Sequence, residues 1–176
     1  MSTYVIYTAS NLMSQMAMEL EQCVLRDDET VYSPKIERIK RIKGQDKPII
    51  SYMFPGYLFI ETENQEDLYL RIRSAMGKSI FQYCMLLRDD DYILPLSVEE
   101  EQRINLLGGD EHLIRNSVGF IEGEQLIVTE GPLKDMTGYV KKIDRHKKTA
   151  LLQIPFIGEM REIFVGLEVT NRLNNS

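Results

Sequence analysis

The chain has 176 residues, of which 43% are hydrophobic and 27% charged, and it carries a formal net charge of −6. That balance is typical of a globular protein of one or two domains, and it argues against a mainly disordered, collagen-like or disulfide-stapled chain. No apolar run approaches the ~20 residues of a membrane-spanning helix, and residues 1–10 lack the pattern of a secretory signal. We therefore expect a cytoplasmic protein that makes no membrane contact.

The first segments predict a strand followed by an amphipathic helix. Tyr4–Thr8 is β-branched and aromatic, which favours a strand, and Ser10 or Asn11 is the expected N-cap of the helix. Apolar residues then recur at the spacing that places them on one helix face. These residues are Met13, Met16, Ala17, Leu20 and Val24. We expect this face to pack into the core, with its methionines filling irregular gaps.

The next stretch predicts a pair of extended segments. Val31–Lys43 and Pro48–Glu61 are joined by a turn at Gly44–Asp46, and the first segment is strongly basic. Pro55–Gly56 interrupts the second segment, so we expect the chain to kink or bulge there before the strand resumes.

A helix, two strands and a further helix complete the first part of the chain. The spacing of Leu68, Ile72 and Ala75 predicts a helix after Asn64 with these three residues facing inward. The remaining predicted features are strands at Ile80–Leu87 and Tyr92–Leu96 and a helix that begins at the capping box Ser97–Glu100, carries Ile104 and Leu107 inward and ends at Gly108–Gly109. Residues 1–107 therefore predict an α+β domain in which helices flank a mostly antiparallel sheet.

The pattern changes after residue 107. Residues 108–120 have no sustained periodicity, which predicts a linker. Residues 121–176 contain five short strand candidates and no helix, the pattern of a small all-β barrel. The candidates are Gln125–Glu130, Gly138–Asp144, Thr149–Pro155, Arg161–Val165 and Leu167–Thr170. Pro155, Gly158 and Gly166 oppose a long helical hairpin, so we expect this domain to stay a barrel.

Charge is distributed unevenly between the two parts. Residues 1–107 hold 12 lysines and arginines against 17 acidic residues, a net of −5, whereas residues 121–176 hold eight of each. A protein that coats duplex DNA is normally strongly basic. Any contact with nucleic acid must therefore be local or assisted by another partner.

Few residues in the chain are candidates for metal ligands or catalytic groups. Cys23 and Cys84 form no C-x-x-C pair and have no ligand-like spacing to His112 or His146, so we expect reduced, packed thiols and no metal site. Asp89–Asp91 is expected to be a solvated turn, because adjacent carboxylates on a strand point in alternating directions. The sequence has no nucleophile–base pair, phosphate-binding loop or dinucleotide fingerprint. We expect neither enzymatic activity nor a cofactor.

The second part of the chain carries the more recognisable motif. Gly123–Val140 reads G-E-Q-L-I-V-T-E-G-P-L-K-D-M-T-G-Y-V and resembles the opening of a KOW motif. Gly131, Pro132, Lys134 and Gly138 occupy the motif's turn and the start of its second strand. We expect Gly138 to lie where the backbone and the turn pack closely.

The first part of the chain indicates more closely which family the chain resembles. P-G-Y-L-F at Pro55–Phe59 follows a basic hairpin and the opening Y-V-I-Y strand, and it resembles the N-terminal domain of NusG-type transcription elongation factors. The resemblance covers essentially the whole chain. It implies a NusG N-terminal-type domain at 1–107, a linker at 108–120 and a KOW barrel of SH3-like type at 121–176.

Two departures distinguish this chain from a typical NusG. Thr3-Tyr4 stands where Trp-Tyr is usual on the first strand, and Gly158–Arg161 replaces a Gly-Arg near the fourth barrel strand. The chain thus looks like a specialised paralogue, similar to the LoaP and RfaH antiterminators, which implies processive antitermination of specific operons. The alternatives are a housekeeping NusG that affects pausing or termination and a ribosome-associated KOW protein that binds RNA.

The resemblance implies two contact sites on the N-terminal domain. An apolar depression would dock onto the clamp helices of RNA polymerase, and its candidate residues are Tyr7, Phe54, Tyr57 and Phe59. Aromatic rings suit such a contact because each buries ~150–250 Å²; the alternative for each ring is a place in the core. Non-template DNA in the transcription bubble would be contacted by stacking and guanidinium groups. The candidates there are Tyr69, Arg71, Arg73 and Lys78, and the alternative for Arg73 is a solvated helix position.

The barrel has a cationic edge that could follow an RNA backbone. Its members are Lys134, Lys141, Lys142, Arg145, His146, Lys147 and Lys148. In this family the barrel recruits a termination factor, a ribosomal protein or, in LoaP-like members, a structured RNA leader. The alternative is a solvated turn with ordinary surface lysines. We expect the protein itself to be a monomer.

Overall fold

The computed structural model describes residues 2–75, 79–83, 85–86, 88–89, 92–93 and 95–170. The chain forms two compact units. Unit 1 consists of Met1–Ser33 with Phe54–Glu101, and unit 2 consists of Pro34–Met53 with Gln102–Ser176. The basic hairpin thus belongs to unit 2, although it lies within residues 1–107 of the chain.

The described residues form three α-helices and fourteen strands, some of only two residues. In chain order these are β1 (Ser2–Tyr7), α1 (Met13–Cys23), β2 (Thr30–Tyr32), β3 (Lys35–Ile42), β4 (Gln45–Tyr52), β5 (Tyr57–Thr62), α2 (Gln65–Ala75), β6 (Met85–Leu86), β7 (Arg88–Asp89), β8 (Tyr92–Ile93), α3 (Val98–Gly108), β9 (Leu113–Ile114), β10 (Ser117–Glu122), β11 (Gln125–Glu130), β12 (Val140–Asp144), β13 (Thr149–Phe156) and β14 (Glu159–Val169). None of the helices among these residues is long and apolar enough to cross a membrane.

The core of unit 1 lies around the sheet β2-β5-β1-β6. β1 and β5 pair antiparallel along their whole length, from Ser2 opposite Thr62 to Tyr7 opposite Tyr57. α1 packs against β2 and β5. The predicted inward residues of the helices are buried, apart from the half-buried Ala17. The buried set is Met13, Met16, Leu20, Val24, Leu68, Ile72 and Ala75.

Three local expectations in unit 1 were wrong. α1 begins at Met13 after a 3-10 turn at Ser10–Leu12, so its N-cap position is Leu12 rather than Ser10 or Asn11, and no side chain caps it there. The predicted strand Ile80–Leu87 is instead a 3-10 helix at Ser79–Tyr83 followed by the two-residue β6, since a short apolar run does not by itself distinguish helix from strand. Cys23 is exposed rather than packed.

The predicted capping box at the start of α3 is confirmed. The Glu100 amide donates to Ser97 Oγ at 3.3 Å, and the Ser97 amide donates to Glu100 Oε2 at 3.0 Å. Two backbone donors are therefore satisfied reciprocally. Ile104 and Leu107 are buried, as their spacing predicted.

Unit 2 is built on a five-stranded sheet in the order β11-β10-β14-β13-β12, with a second sheet β4-β3-β9. The predicted linker contains β9, which pairs with β3, and the start of β10, which pairs with both β11 and β14. The two final strand candidates form one strand, β14, that continues through Gly166. Gly166 is required there because a Cβ would lie 2.8 Å from the carbonyl oxygen of Glu37. Gly138, in contrast, is exposed and has no neighbour within 4 Å of a Cβ position, contrary to expectation.

The predicted fold class is confirmed. An N-terminal α+β part with a largely antiparallel sheet is followed by a C-terminal all-β part.

Candidate functional site

An exposed apolar row crosses three strands of the unit 1 sheet. Tyr7 on β1 is the register partner of both Tyr57 on β5 and Met85 on β6. Directly opposed residues of antiparallel strands project from the same face. Tyr7 is 41% exposed, Met85 is 61% exposed and Tyr57 is half-buried. We call these three residues the apolar row.

Packed aromatic rings lie beside the apolar row. The Tyr7 and Tyr57 rings meet edge to face with centroids 5.1 Å apart, and Phe54 makes a similar contact with Tyr57 at 6.1 Å. Phe59 stacks with Phe54 at 6.4 Å and with Tyr32 at 5.5 Å. Such pairs contribute ~0.5–1.5 kcal/mol beyond burial and hold each ring in one position. The outer ring of Tyr57 is therefore anchored through Phe54 to the core.

The four aromatic candidates thus divide into two groups. Tyr7 and Tyr57 reach the surface, whereas Phe54 is only 5% exposed and Phe59 is fully buried. Because β5 is buried on both faces at Leu58, Phe59 and Ile60, Phe59 serves the core. Phe54 and Phe59 support the row rather than form its outer surface.

Gly56 explains why the P-G-Y-L-F segment turns sharply beneath Tyr7. Its φ is +96°, and a Cβ at this position would lie 2.7 Å from the Tyr7 ring and 2.8 Å from the Thr8 carbonyl oxygen. The Thr8 amide donates to the Gly56 carbonyl at 2.8 Å, and the Gly56 amide donates to Met13 Sδ at 3.0 Å. Only glycine combines this conformation with so close an approach.

A buried ion pair connects α2 to the chain segment before β2. Both oxygens of Glu29 accept hydrogen bonds from Arg71, at 2.6 and 2.7 Å. Glu29 also accepts from Thr62 Oγ1 at 2.6 Å and from the Arg26 amide at 2.9 Å. Burial alone would raise the pKa of Glu29, but the bonds from Arg71, Thr62 and Arg26 together lower that pKa to about 2. The carboxylate is therefore ionised at neutral pH.

The DNA candidates of α2 differ in availability. The Arg71 guanidinium is committed to Glu29, to Asp67 Oδ2 at 2.9 Å and to the Val24 carbonyl, so its position indicates a structural role. Tyr69 is half-buried and Arg73 is exposed, four residues apart on the helix, which places them on one side. Lys78 lies outside the described residues.

The barrel cations are exposed, with one exception. Six of the seven side chains are exposed, and these are Lys134, Lys141, Lys142, Arg145, His146 and Lys147. Lys148 is instead bonded through Nζ to Asp46 Oδ2 at 2.7 Å and to Glu168 Oε1 at 3.2 Å. The hydrogen bonds that Lys148 donates to Asp46 and then to Glu168 raise the pKa of Lys148, and the same bond from Lys148 lowers the pKa of Asp46.

Sequence reasoning missed two contributors to these surfaces. Met85 was placed in a longer strand, so its register beside Tyr7 could not be predicted. The basic residues of β3 were noted but given no role, although their alternation with apolar residues on a predicted hairpin was a usable signal. Within the described part of the chain, no group of three His, Cys, Asp or Glu side chains could hold a metal ion.

Comparison with known proteins gives a consistent result. Residues 1–105 match the sequence profile of the NusG family, described as transcription termination factor nusG. The transcription termination/antitermination protein NusG of Bacillus subtilis (strain 168) is 27% identical over 172 residues, 95% of this chain and 94% of that protein. The corresponding NusG of Pasteurella multocida (strain Pm70) is 27% identical over 145 residues, 80% of this chain and 77% of that protein. Because the profile spans more than half of its length, this chain belongs to the NusG family.

Proposed function

We propose that this protein binds RNA polymerase through the apolar row of unit 1 and promotes processive antitermination of specific operons. The observation that carries the polymerase contact is the row itself. Two of its members are more than 40% exposed, yet Tyr7 is fixed by its contacts with Tyr57 and by the Gly56 turn. A preformed apolar surface of this kind suits the burial of a helix from a partner, because little side-chain freedom is lost on binding.

The KOW-type domain recruits a second partner in this proposal, either RNA or a protein. Its exposed cations support RNA, since lysine and arginine neutralise phosphates without requiring a rigid pocket. Tyr69 and Arg73 remain candidates for contact with single-stranded non-template DNA, where an aromatic ring stacks on a base and a guanidinium binds phosphate. Arg71 is not retained in that set, because its hydrogen bonds already hold it in the fold.

Two exposed methionines give a matched test of the polymerase contact. Met85 lies in the apolar row and is 61% exposed, whereas Met18 lies on α1 and is 57% exposed. We expect Met85→Gln to weaken binding of the full chain to purified bacterial core RNA polymerase about tenfold or more, as for residues at the centre of an interface. Met18→Gln should bind as the unaltered chain does. Equal binding by both variants and by Tyr7→Ala would remove the row as the contact.

Housekeeping NusG activity is the second candidate, favoured by the B. subtilis relative that covers 95% of this chain. Transcription in vitro across an intrinsic terminator separates the two activities, because an antiterminator raises readthrough and a pausing or termination factor does not. Disruption of the gene gives the cellular result. A specialised factor should alter a few long operons, whereas a housekeeping factor should affect transcription broadly. A ribosome-associated protein, in contrast, should not capture core polymerase.

A further inference from the structure

The basic hairpin of unit 2 faces the turn between β12 and β13 across a cleft. The cavity has a volume of about 510 Å³, with β3–β4 on one side and residues 146–149 on the other. Six basic side chains line it, namely Arg38, Lys40, Arg41, His146, Lys147 and Lys148. Residues separated by about one hundred positions in the sequence thus form a single cationic surface, which we call the cationic cleft.

Contacts within unit 2 set the distance between the two walls. Lys148 Nζ bonds to Asp46 of the hairpin at 2.7 Å and to Glu168 of β14 at 3.2 Å. β3 also contacts β14, where the missing side chain of Gly166 allows the Glu37 carbonyl to approach. Lys148 therefore acts as a positioning residue of the cleft, since its charge is already matched by two carboxylates.

Much of the remaining charge of the cleft is not paired within the protein; Lys147 Nζ lies 3.9 Å from Asp144 Oδ2, and Arg41 stands opposite Asp46 in the hairpin register. Asp46 is the one carboxylate among the described lining residues, and it already accepts a hydrogen bond from Lys148. Arg38, Lys40 and Arg41 have no carboxylate within ion-pair distance in the described part of the chain. Lys40 also stands directly opposite Lys47 in the hairpin register, and like charges directly opposed destabilise a strand pair. An anionic ligand would relieve this repulsion.

The acidic composition of the whole chain makes the clustering of cations in the cleft stronger evidence for an anionic ligand. Its net charge is −6, so a basic cleft is not a consequence of a basic composition. Arginine and lysine are the residues that bind phosphate best, arginine with a bidentate geometry. The volume lies within the ~300–1,000 Å³ typical of small-ligand sites, which suits a short length of strand rather than a folded protein segment.

We propose that the cationic cleft binds the phosphodiester backbone of an RNA strand, with the hairpin and the barrel turn contributing together. The inference rests on the proposed function in one respect, that RNA is the partner of unit 2. It differs in placing half of the contact on β3, outside the barrel edge that the sequence indicated. Recognition of the backbone is independent of base sequence, so a generic strand is a sufficient probe.

Two lysines of β3 provide a matched pair for the test. Both are exposed, but Lys40 lines the cleft and Lys35 does not. Binding of the full chain to fluorescein-labelled U20 RNA, and to T20 DNA, is measured by anisotropy between 50 and 300 mM salt. For single strands the slope of log K against log salt changes by ~0.7 for each phosphate that the protein no longer neutralises, which is about fivefold in affinity at 0.1 M salt.

We expect Lys40→Gln and Lys147→Gln each to make the negative slope shallower by ~0.7 and the double variant by ~1.4, because each cation neutralises one phosphate. Lys35→Gln should bind as the unaltered chain does. Tighter binding of U20 than of T20 identifies RNA as the strand held, and equal or tighter binding of T20 overturns RNA as the ligand.

The cleft is overturned if Lys40→Gln and Lys35→Gln behave alike. If, in that case, only the double variant Lys141→Gln/Lys142→Gln loses binding, RNA binds at the barrel edge and the proposed function still holds. Absence of binding by the unaltered chain at 50 mM salt would remove both the cleft and the RNA part of that function. The polymerase contact is measured separately through Met85, so its failure is distinguishable from either result.

Discussion

The apolar row of unit 1 and the cationic cleft of unit 2 are built in opposite ways. The row depends on what lies beneath it, since Tyr57 is held through Phe54 and Tyr7 lies against the Gly56 turn. The cleft depends on charges at its surface, and Lys148 bonds one of its walls to the other in addition to the contact between β3 and β14. An apolar contact requires a rigid framework, whereas long-range attraction to phosphate requires only that cations be brought together.

Arginine shows the same contrast at the level of one residue type. Arg71 in unit 1 is bonded to Glu29 and Asp67, whereas Arg38 in unit 2 donates only to Ser51 Oγ, at 3.2 Å, among the described residues, and its Nε is buried without a partner. Both were basic residues near a possible nucleic-acid surface. The partners that the fold supplies, rather than the residue type, indicate which of them is available to a ligand.

Among the substitutions considered, Arg71→Ala should lower the free energy of unfolding of unit 1 the most. Arg71→Ala leaves the Glu29 carboxylate buried without its cation, and removing one member of a buried pair costs ~3–5 kcal/mol. Arg73→Ala, on the same helix but exposed, should change the free energy of unfolding by less than ~0.5 kcal/mol. Urea denaturation of the full chain compares the two. If Arg71→Ala were as stable as Arg73→Ala but no longer bound non-template DNA, the DNA assignment would replace the structural one.

The same ion pair predicts how unit 1 responds to acid. The pKa of Glu29 is about 2 in the folded chain against an ordinary value of 4.5, so the unfolded state takes up the proton more readily between these values. The stabilisation, about 3 kcal/mol at ~1.4 kcal/mol per pKa unit, is complete above pH 4.5 and is lost as the pH falls through 2. The difference in unfolding free energy between the unaltered chain and Glu29→Gln should shrink over this window. A difference that stays constant from pH 6 to pH 2 would contradict the assignment.

Gly56 tests how closely the apolar row depends on its supporting turn. Gly56→Ala must accommodate a positive φ and a Cβ against the Tyr7 ring, whereas Gly44→Ala meets the positive φ alone, with open space around it. We expect about 1 kcal/mol of destabilisation for Gly44→Ala and about 2 kcal/mol more for Gly56→Ala. Polymerase binding should weaken only for Gly56→Ala. Equal unfolding free energies for the two variants would show that the turn yields without cost.

Sequence patterns predicted those parts of the molecule that depend on local order. The capping box at Ser97, the inward residues of α2 and the strand Gln125–Glu130 were confirmed, because each depends on residues a few positions apart. The third member of the apolar row was missed because the register of a two-residue strand is set by its neighbours.

Long-range pairing sets the remaining features. Asp46 meets Lys148 across 102 positions, and β3 pairs with β9 across more than seventy. No periodicity encodes either contact, so the place of the hairpin in unit 2 could not be predicted. The same holds for Arg71, whose pattern fits both a solvated helix face and a buried partner of Glu29.

Substitutions of the adjacent residues Lys147 and Lys148 distinguish the positioning of the cleft walls from the binding of phosphate. Of the changes considered, these should alter the stability of the protein least. Lys148→Gln releases Asp46, so amide hydrogen exchange in residues 35–52 should become faster as the hairpin is no longer held to the turn. Its RNA-binding salt slope should stay unchanged, because Lys148 neutralises carboxylates rather than phosphate. Lys147→Gln should show the reverse, with unchanged exchange and a negative slope that is shallower by ~0.7. If Lys148→Gln made the slope as much shallower as Lys147→Gln does, with no change in exchange, Lys148 would be an RNA contact and the hairpin would be held by β9 and β14.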